Sequence, residues 1–232
     1  MKEMLTNKIL TGLRDTEFTH LMPLLQPVSL STGERLSEAG EPMRFIYFPE
    51  SSVLSCRAEM QDGKSAEVGM IGFEGMAGIT AVVGSLPAVH SVNVSVGGSA
   101  LRMSTDEFRR EILRGDGVQQ ALLAYAGEYL TQISQRSACA VFHTIEQRFA
   151  VWLLLLLDRV KDDVIQITQE RIAEHLGVRR AGVTVVAGGM QDAGAISYRR
   201  GNLRVTDRQM LEAIACECYA TLSVGRQQTT YM

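Results

Sequence analysis

Five arginines, Arg179, Arg180, Arg199, Arg200 and Arg204, fall in one short stretch whose single acid is Asp192. The whole chain has a formal net charge of −3, so positive charge is concentrated there. A guanidinium offers a planar fork of donors to phosphate, or to the O6/N7 edge of guanine. A local excess of such forks is the chemistry of nucleic-acid contact. Nothing comparable points to catalysis, because no nucleophile–base pair, paired acids or metal-ligand spacing stands out. Glu67 and Glu74 flank a glycine-rich loop and read as structural or surface carboxylates. The four cysteines, Cys56, Cys139, Cys216 and Cys218, contain no C-x-x-C pair and no histidines at zinc-finger intervals. Cys216 and Cys218 on one helix would point to different faces. Free, buried thiols in a reducing cell are therefore expected, with no metal, no cofactor and no enzymatic activity.

The arginines need a frame. Residues 167–205 read as helix, tight turn, second helix and basic hairpin. Thr168 is placed to cap the first helix and Glu170 to sit favourably in its first turn. Ile172, Ala173 and Leu176 give that helix one apolar face. Gly177 supplies the positive φ of the corner. A second helix from about Arg179 turns Val183, Val186, Ala187 and Met190 inward and ends at Gly194. Gly182, Gly188 and Gly189 make it soft. Residues 196–205 alternate and turn at Gly201-Asn202. A helix-turn-helix with a basic wing is a device for reading DNA.

The 232 residues are 46% apolar, as in a soluble globular protein. No signal peptide is visible, and the longest apolar run, Val151–Leu157, is far short of the roughly 20 residues of a membrane span. The expected location is cytoplasmic, with no membrane partner. Residues 7–25 read as a helix. Short alternating runs follow at 28–36, 44–48, 53–60, 65–71 and 89–96, separated by turn signals, as in a jelly-roll-like β-roll. Within them Gly69, Gly72, Gly75 and Gly78 recur every third residue, either as a tight barrel corner or as a loop whose amides cradle an anion. Ser104-Thr-Asp-Glu107 reads as a capping box. A sustained helix spans about 118–140, with Val118, Leu122, Tyr125, Tyr129 and Ile133 as a seam suited to dimerisation. Phe142-His143-Thr144 is a candidate hinge, and residues 145–160 form a helix. Thr206-Asp-Arg-Gln209 caps a last helix with Met210, Leu211, Ile214 and Cys218 inward, and residues 225–232 are expected to fray.

This order of parts resembles the Crp/Fnr superfamily of bacterial transcription regulators over nearly the whole chain. The resemblance is carried by Val28-Ser-Leu-Ser-Thr-Gly-Glu34, Gly40-Glu-Pro, Ile46-Tyr-Phe-Pro49, Glu67-Val-Gly-Met-Ile-Gly-Phe-Glu-Gly-Met-Ala-Gly78 and His143-Thr-Ile-Glu-Gln-Arg148. Leu176-Gly-Val-Arg-Arg180, Tyr198-Arg-Arg-Gly201 and Ala215-Cys-Glu-Cys-Tyr219 extend it. It implies an α+β fold in two parts. Residues 1–142 would form a cyclic-nucleotide-binding-like β-roll sensor with the long dimerisation helix. Residues 143–232 would form a winged helix-turn-helix DNA-binding domain. It further implies a homodimer on double-stranded DNA at an inverted repeat, with RNA polymerase as a further candidate partner.

By the same resemblance, the effector pocket would draw on Gly72, Glu74, Gly75, Met76, Ala77, His90, Ser91 and Ser134. Met76 stands where cyclic-nucleotide binders carry a ribose-binding glutamate, and His90-Ser91 where they carry an Arg-Ser pair for the phosphate. A thioether cannot accept a ribose hydroxyl bond, and a neutral imidazole replaces a permanent cation poorly. The pocket is therefore expected to be degenerate or repurposed, with its effector unidentified and not cyclic AMP. DNA contact is assigned to Thr168, Gln169, Arg179, Arg180, Thr184, Arg199, Arg200 and Arg204. Arg180 matches the family's first base-reading arginine, while Ala181 and Val185 replace a glutamate and a second arginine. The alternative is a ligand-sensing module that acts through protein contacts, its DNA binding decayed.

Overall fold

The computed structural model describes residues 2–84, 87–115 and 117–223. The fraying expected of residues 225–232 lies outside the described residues. The chain divides into two compact units, one formed by residues 2–57 and 69–131, the other by 58–68 and 132–223.

The first unit begins with helices α1 (Lys8–Gly12) and α2 (Asp15–Leu21). The expected continuous helix over 7–25 is thus two, because Asn7 caps the first and the chain restarts at Arg14, where the Glu17 carboxylate accepts from the Arg14 amide at 2.9 Å. Strands β1 (Gln26–Leu30), β2 (Arg35–Ser37), β3 (Phe45–Pro49), β4 (Val53–Glu59) and β5 (Ser65–Ile71) follow, residues 58–68 at the end of β4 and the start of β5 counting with the second unit, then α3 (Ile79–Val83), β6 (Ser91–Val96), β7 (Gly98–Ser104) and α4 (Thr105–Leu113). Helix α5 (Gly117–Phe142) begins here and runs into the residues of the second unit.

The strands form two sheets, ordered β1-β7-β3 and β2-β6-β4-β5. The predicted run 28–36 splits because Gly33, at φ +86°, turns the chain within it. Strand β7, which the sequence pattern did not suggest, lies central, pairing Val28 with Ala100 on one side and Ile46 with Met103 on the other. Its last residue, Ser104, makes no side-chain cap on α4, so the predicted capping box does not form. Thr105 instead donates from Oγ1 to the Met43 carbonyl at 2.6 Å. Ile46, Phe48, Leu54 and Met103 are fully buried, and Phe48 meets Phe108 of α4 edge-on with ring centroids 5.7 Å apart. Each such side chain contributes about 1.5–3 kcal/mol by leaving water.

The second unit contains α6 (Ile145–Leu157), β8 (Val164–Gln166), α7 (Gln169–Leu176), α8 (Arg180–Asp192), β9 (Ile196–Arg199), β10 (Asn202–Val205), α9 (Arg208–Ile214) and α10 (Cys218–Leu222). Thr144 accepts from the Gln147 amide and so starts α6 after a break at His143, where the hinge was expected. Every residue of α6 from Phe149 to Leu156 is buried, so its apolar run is the centre of this unit's core. Among the described residues no helix is long and apolar enough to cross a membrane. The last predicted helix is also two: Asp207, not Thr206, caps α9, which ends before the Cys216 segment, and Leu211 is buried whereas Met210 is exposed. The fold is α+β, with a β-rich N-terminal region, one long helix and a C-terminal helix-turn-helix with its wing.

Candidate nucleic-acid interface

Helix α7 is capped as the sequence requires. Thr168 Oγ1 accepts from the Arg171 amide at 3.2 Å, and Gly177 takes a left-handed conformation (φ +64°) at its end. Arg148 of α6 donates to the Leu176 carbonyl, satisfying one of that helix's last acceptors. The arginine is half-buried, and this burial lowers its pKa from the ordinary guanidinium value. Helix α8 then buries Val183, Ala187 and Met190 and leaves Arg180, Ala181, Thr184, Val185, Gly188 and Gln191 exposed. Arg179 is its exposed N-cap residue.

The outward face of α8 is only lightly tethered. Arg180 Nε lies 4.0 Å from a Glu170 carboxylate oxygen, with both side chains about two-thirds exposed, 67% and 64%. Such a pair contributes little and yields readily to a better acceptor. Thr184 Oγ1 donates to Gln169 Oε1 at 2.7 Å, which links the two helices on the exposed side. Gln191 holds the wing: its Oε1 accepts from the Tyr198 amide at 2.8 Å. A methyl group added to Gly188 or Gly189 would meet nothing within 4 Å, so the fold itself does not demand these glycines. Each costs the helix about 1 kcal/mol against alanine. Gly182 differs, because a Cβ there would sit 3.2 Å from Ile145 Cδ1 of α6.

The wing is a three-stranded sheet, β8-β10-β9. Strand β8 was not foreseen, being three residues long. The pairing Asn202↔Arg199 places the turn at Arg200-Gly201, one residue earlier than the sequence suggested. Both turn residues have positive φ, +50° and +80°, as a tight primed hairpin turn needs. Alternation then sorts the side chains. Ile196 and Leu203 are buried on one face, while Arg199, Asn202 and Arg204 are exposed on the other. Tyr198 anchors the inner face, donating from its hydroxyl to the Ile167 carbonyl at 2.7 Å, and burial raises the phenol's pKa. The predicted contact residues Thr168, Gln169, Arg180 and Arg200 line one cleft with Glu170, Tyr198 and Gly201.

The glycine loop has a different structural explanation from an anion cradle. A Cβ on Gly75 would lie 2.5 Å from the Tyr125 ring, and one on Gly69 2.4 Å from the Tyr129 hydroxyl. The glycines let these tyrosines approach. Tyr125 also donates to the Met76 carbonyl at 3.0 Å, and the Gly72 amide is taken up by Glu74 Oε1 at 3.1 Å. Met76, Ala77, Glu74 and Ser91 are buried, and burial lowers the pKa of His90, favouring the neutral ring. Ser134 is exposed and falls in the other unit.

The seam assigned to dimerisation needs correcting. Val118, Leu122, Tyr125 and Tyr129 are already buried within their own chain and cannot serve a partner, and Ile133 is half-buried. Exposed positions on α5 instead include Leu123, Gly127, Leu130, Ser134, Ser137 and Val141.

Two clusters escaped the sequence reading. Glu67, its side chain fully buried, lies 3.0 Å from Arg136 Nη2 and 2.8 Å from His175 Nδ1. Cys139, His143, Cys216 and Cys218 place one ligand atom each within 4.8 Å of one another. Cys216 precedes α10 rather than lying on it, so Cys216 and Cys218 face one point instead of opposite sides of a helix.

Residues 147–214 match the family model described as the Crp-like helix-turn-helix domain. Among solved structures the chain resembles a proposed transcriptional regulator of the Crp/Fnr family from Eubacterium rectale (15% identity, TM-score 0.72, covering 90% of this chain and 98% of that one). It also resembles FixK2 from Bradyrhizobium japonicum (15%, 0.69, 83% and 98%). The c-di-GMP-responsive regulator CLP of Xanthomonas campestris is similar too (14%, 0.66, 84% and 100%). No curated protein matches by sequence. The chain therefore carries a Crp-like helix-turn-helix DNA-binding domain and has the fold of the Crp/Fnr transcription regulators.

Proposed function

We propose that this protein is a homodimeric, sequence-specific transcription regulator, with residues 1–142 as sensor and 143–232 as the DNA-binding part. One observation carries the reading: Arg179, Arg180 and the wing residues Arg199, Arg200 and Arg204 are all exposed, while the opposite faces of α8 and the wing are buried. Arg180 stands at the start of α8, where a recognition helix reads bases, and can donate two bonds to guanine. Arg179 and the wing arginines hold phosphates, with Thr168, Gln169 and Thr184 beside them. Val185 is 75% exposed on the same helix and suits a thymine methyl rather than a hydrogen-bonding edge.

Dimerisation falls to the exposed positions 123, 127, 130, 134, 137 and 141 of α5, which alternate steps of four and three, the spacing of a coiled-coil seam. Two α8 helices would then enter successive major grooves about 34 Å apart, so the operator is an inverted repeat. In the sensor part, the buried thioether of Met76 and the neutral His90 support an effector other than a cyclic nucleotide.

Selection from randomised duplexes tests this. An inverted repeat should be enriched, and complete lack of DNA affinity even at low salt would replace the reading by a protein-interaction module. Arg180→Ala should reduce discrimination at one base pair by about 1–3 kcal/mol and leave binding to random DNA nearly unchanged. Equal losses on both would remove Arg180 as a base reader. Leu123→Glu with Leu130→Glu should sediment as a monomer and lose operator binding; an unaltered dimer would put the seam elsewhere.

A further inference from the structure

Cys139, His143, Cys216 and Cys218 bring one metal-ligating atom each to a common point. Cys139 and His143 are four residues apart at the end of α5, one turn of helix, and so share a face. The helical hydrogen bond from the His143 amide to the Cys139 carbonyl, 3.1 Å, fixes that register. Cys216 and Cys218 reach the same point from the segment between α9 and α10. Cys139 Sγ and Cys216 Sγ are 3.6 Å apart, and Cys218 Sγ is 3.6 Å from His143 Nδ1. Cys139, Cys216 and Cys218 form no disulfide, and a sulfur separation of 3.6 Å is far beyond a disulfide's roughly 2.05 Å.

These distances have a specific meaning. Thiolates bound to a tetrahedral zinc ion at about 2.3 Å, and an imidazole at about 2.0 Å, stand about 3.5–3.8 Å from one another. An iron–sulfur cluster would spread its thiolates further, since each binds a different iron. The surroundings also suit a metal. His143 Nε2, the nitrogen facing away from the cluster, lies 3.2 Å from a Glu217 carboxylate oxygen, the second partner that orients a metal-binding histidine. Gln135 Nε2 donates to Cys218 Sγ at 3.1 Å, as donors around metal-bound thiolates do.

We propose that Cys139, Cys216, Cys218 and His143 Nδ1 form a closed, mononuclear zinc-type site that clasps the end of α5 to the segment joining α9 and α10. Binding of Zn2+ displaces three thiol protons to solvent and takes the lone pair of a neutral imidazole, with no change of oxidation state. Four protein ligands leave no open position, so the site is structural and not catalytic.

The test uses the full-length protein, purified without an affinity tag that binds metal and stripped of metal under reducing, anaerobic conditions. Titration with Co2+ should give the intense visible bands of tetrahedral cobalt and a thiolate charge-transfer band, saturating at one ion per chain, and Zn2+ should bleach them. Cys139→Ser and Cys216→Ser should abolish the tetrahedral spectrum. His143→Cys should retain it as a four-thiolate site, which a merely structural histidine would not predict. Glu217→Gln should weaken affinity about 10–100-fold while leaving the spectrum tetrahedral. Three results would overturn the proposal: no tetrahedral cobalt spectrum from the folded wild type, iron with acid-labile sulfide as the native content, or a Cys139–Cys216 disulfide as the native state. Because none of these readouts uses DNA, the site and the regulatory function fail or stand separately.

Discussion

Glu67→Ala is expected to destabilise the folded chain by about 3–5 kcal/mol, the usual cost of removing one member of a buried ionic group. The carboxylate is shared by Arg136, whose side chain is 15% exposed, and by His175, whose side chain is 8% exposed. Without it, two polar groups stay in the interior and lose a common acceptor. The penalty should be structural and felt at the helix-turn-helix, because His175 lies on α7 and Gly177, which ends that helix, packs against Ala66 beside Glu67. Trp152, the single tryptophan of the chain, stands 5.1 Å from the His175 ring, so its fluorescence in urea unfolding follows this region directly. Glu67→Gln should cost less, since an amide oxygen can still accept from the imidazole. A loss under about 1 kcal/mol for the alanine variant would mean that water takes the carboxylate's place, and the network would carry no weight in stability.

Replacing Arg199, Arg200 and Arg204 together by alanine should weaken operator and random DNA alike. It should also flatten the dependence of log K on log salt by about 0.9 for each phosphate that the wing no longer neutralises. Filter binding or fluorescence anisotropy across a range of salt concentrations measures both. An unchanged slope would show that the wing stands clear of the DNA backbone. Arg200 gives a sharper version of the same test. It holds φ +50°, a conformation for which arginine is a costly choice and asparagine a cheaper one. Arg200→Asn should therefore raise stability by up to about 1 kcal/mol while lowering DNA affinity. Opposite movements of melting temperature and affinity would mark a residue kept for DNA binding at some expense to the fold.

Much of the DNA-binding half was readable from residue order because its determinants are local. Thr168 caps α7, Gly177 turns the corner, and Ile172, Leu176, Val183 and Met190 define inward faces by their spacing alone. The β-roll was readable as a set of alternating strands, and the long helix by its length. Three features depended on distance in space. Strand β7 has little alternation of its own and exists because β1 and β3 flank it. The apolar stripe of α5 could be seen in the sequence, but not which surface it meets. Tyr125 and Tyr129 are used up against Gly75 and Gly69, and the less apolar face carrying Leu123 and Leu130 is left exposed. The C-x-x-x-H spacing of Cys139 and His143 and the C-x-C of Cys216 and Cys218 are weak signals separately. Folding unites them across more than seventy residues of chain, because the break between α9 and α10 turns both later thiols toward the end of α5. Periodicity and caps determine which elements form. Packing alone decides which face of each element is spent inside the chain and which is left to bind.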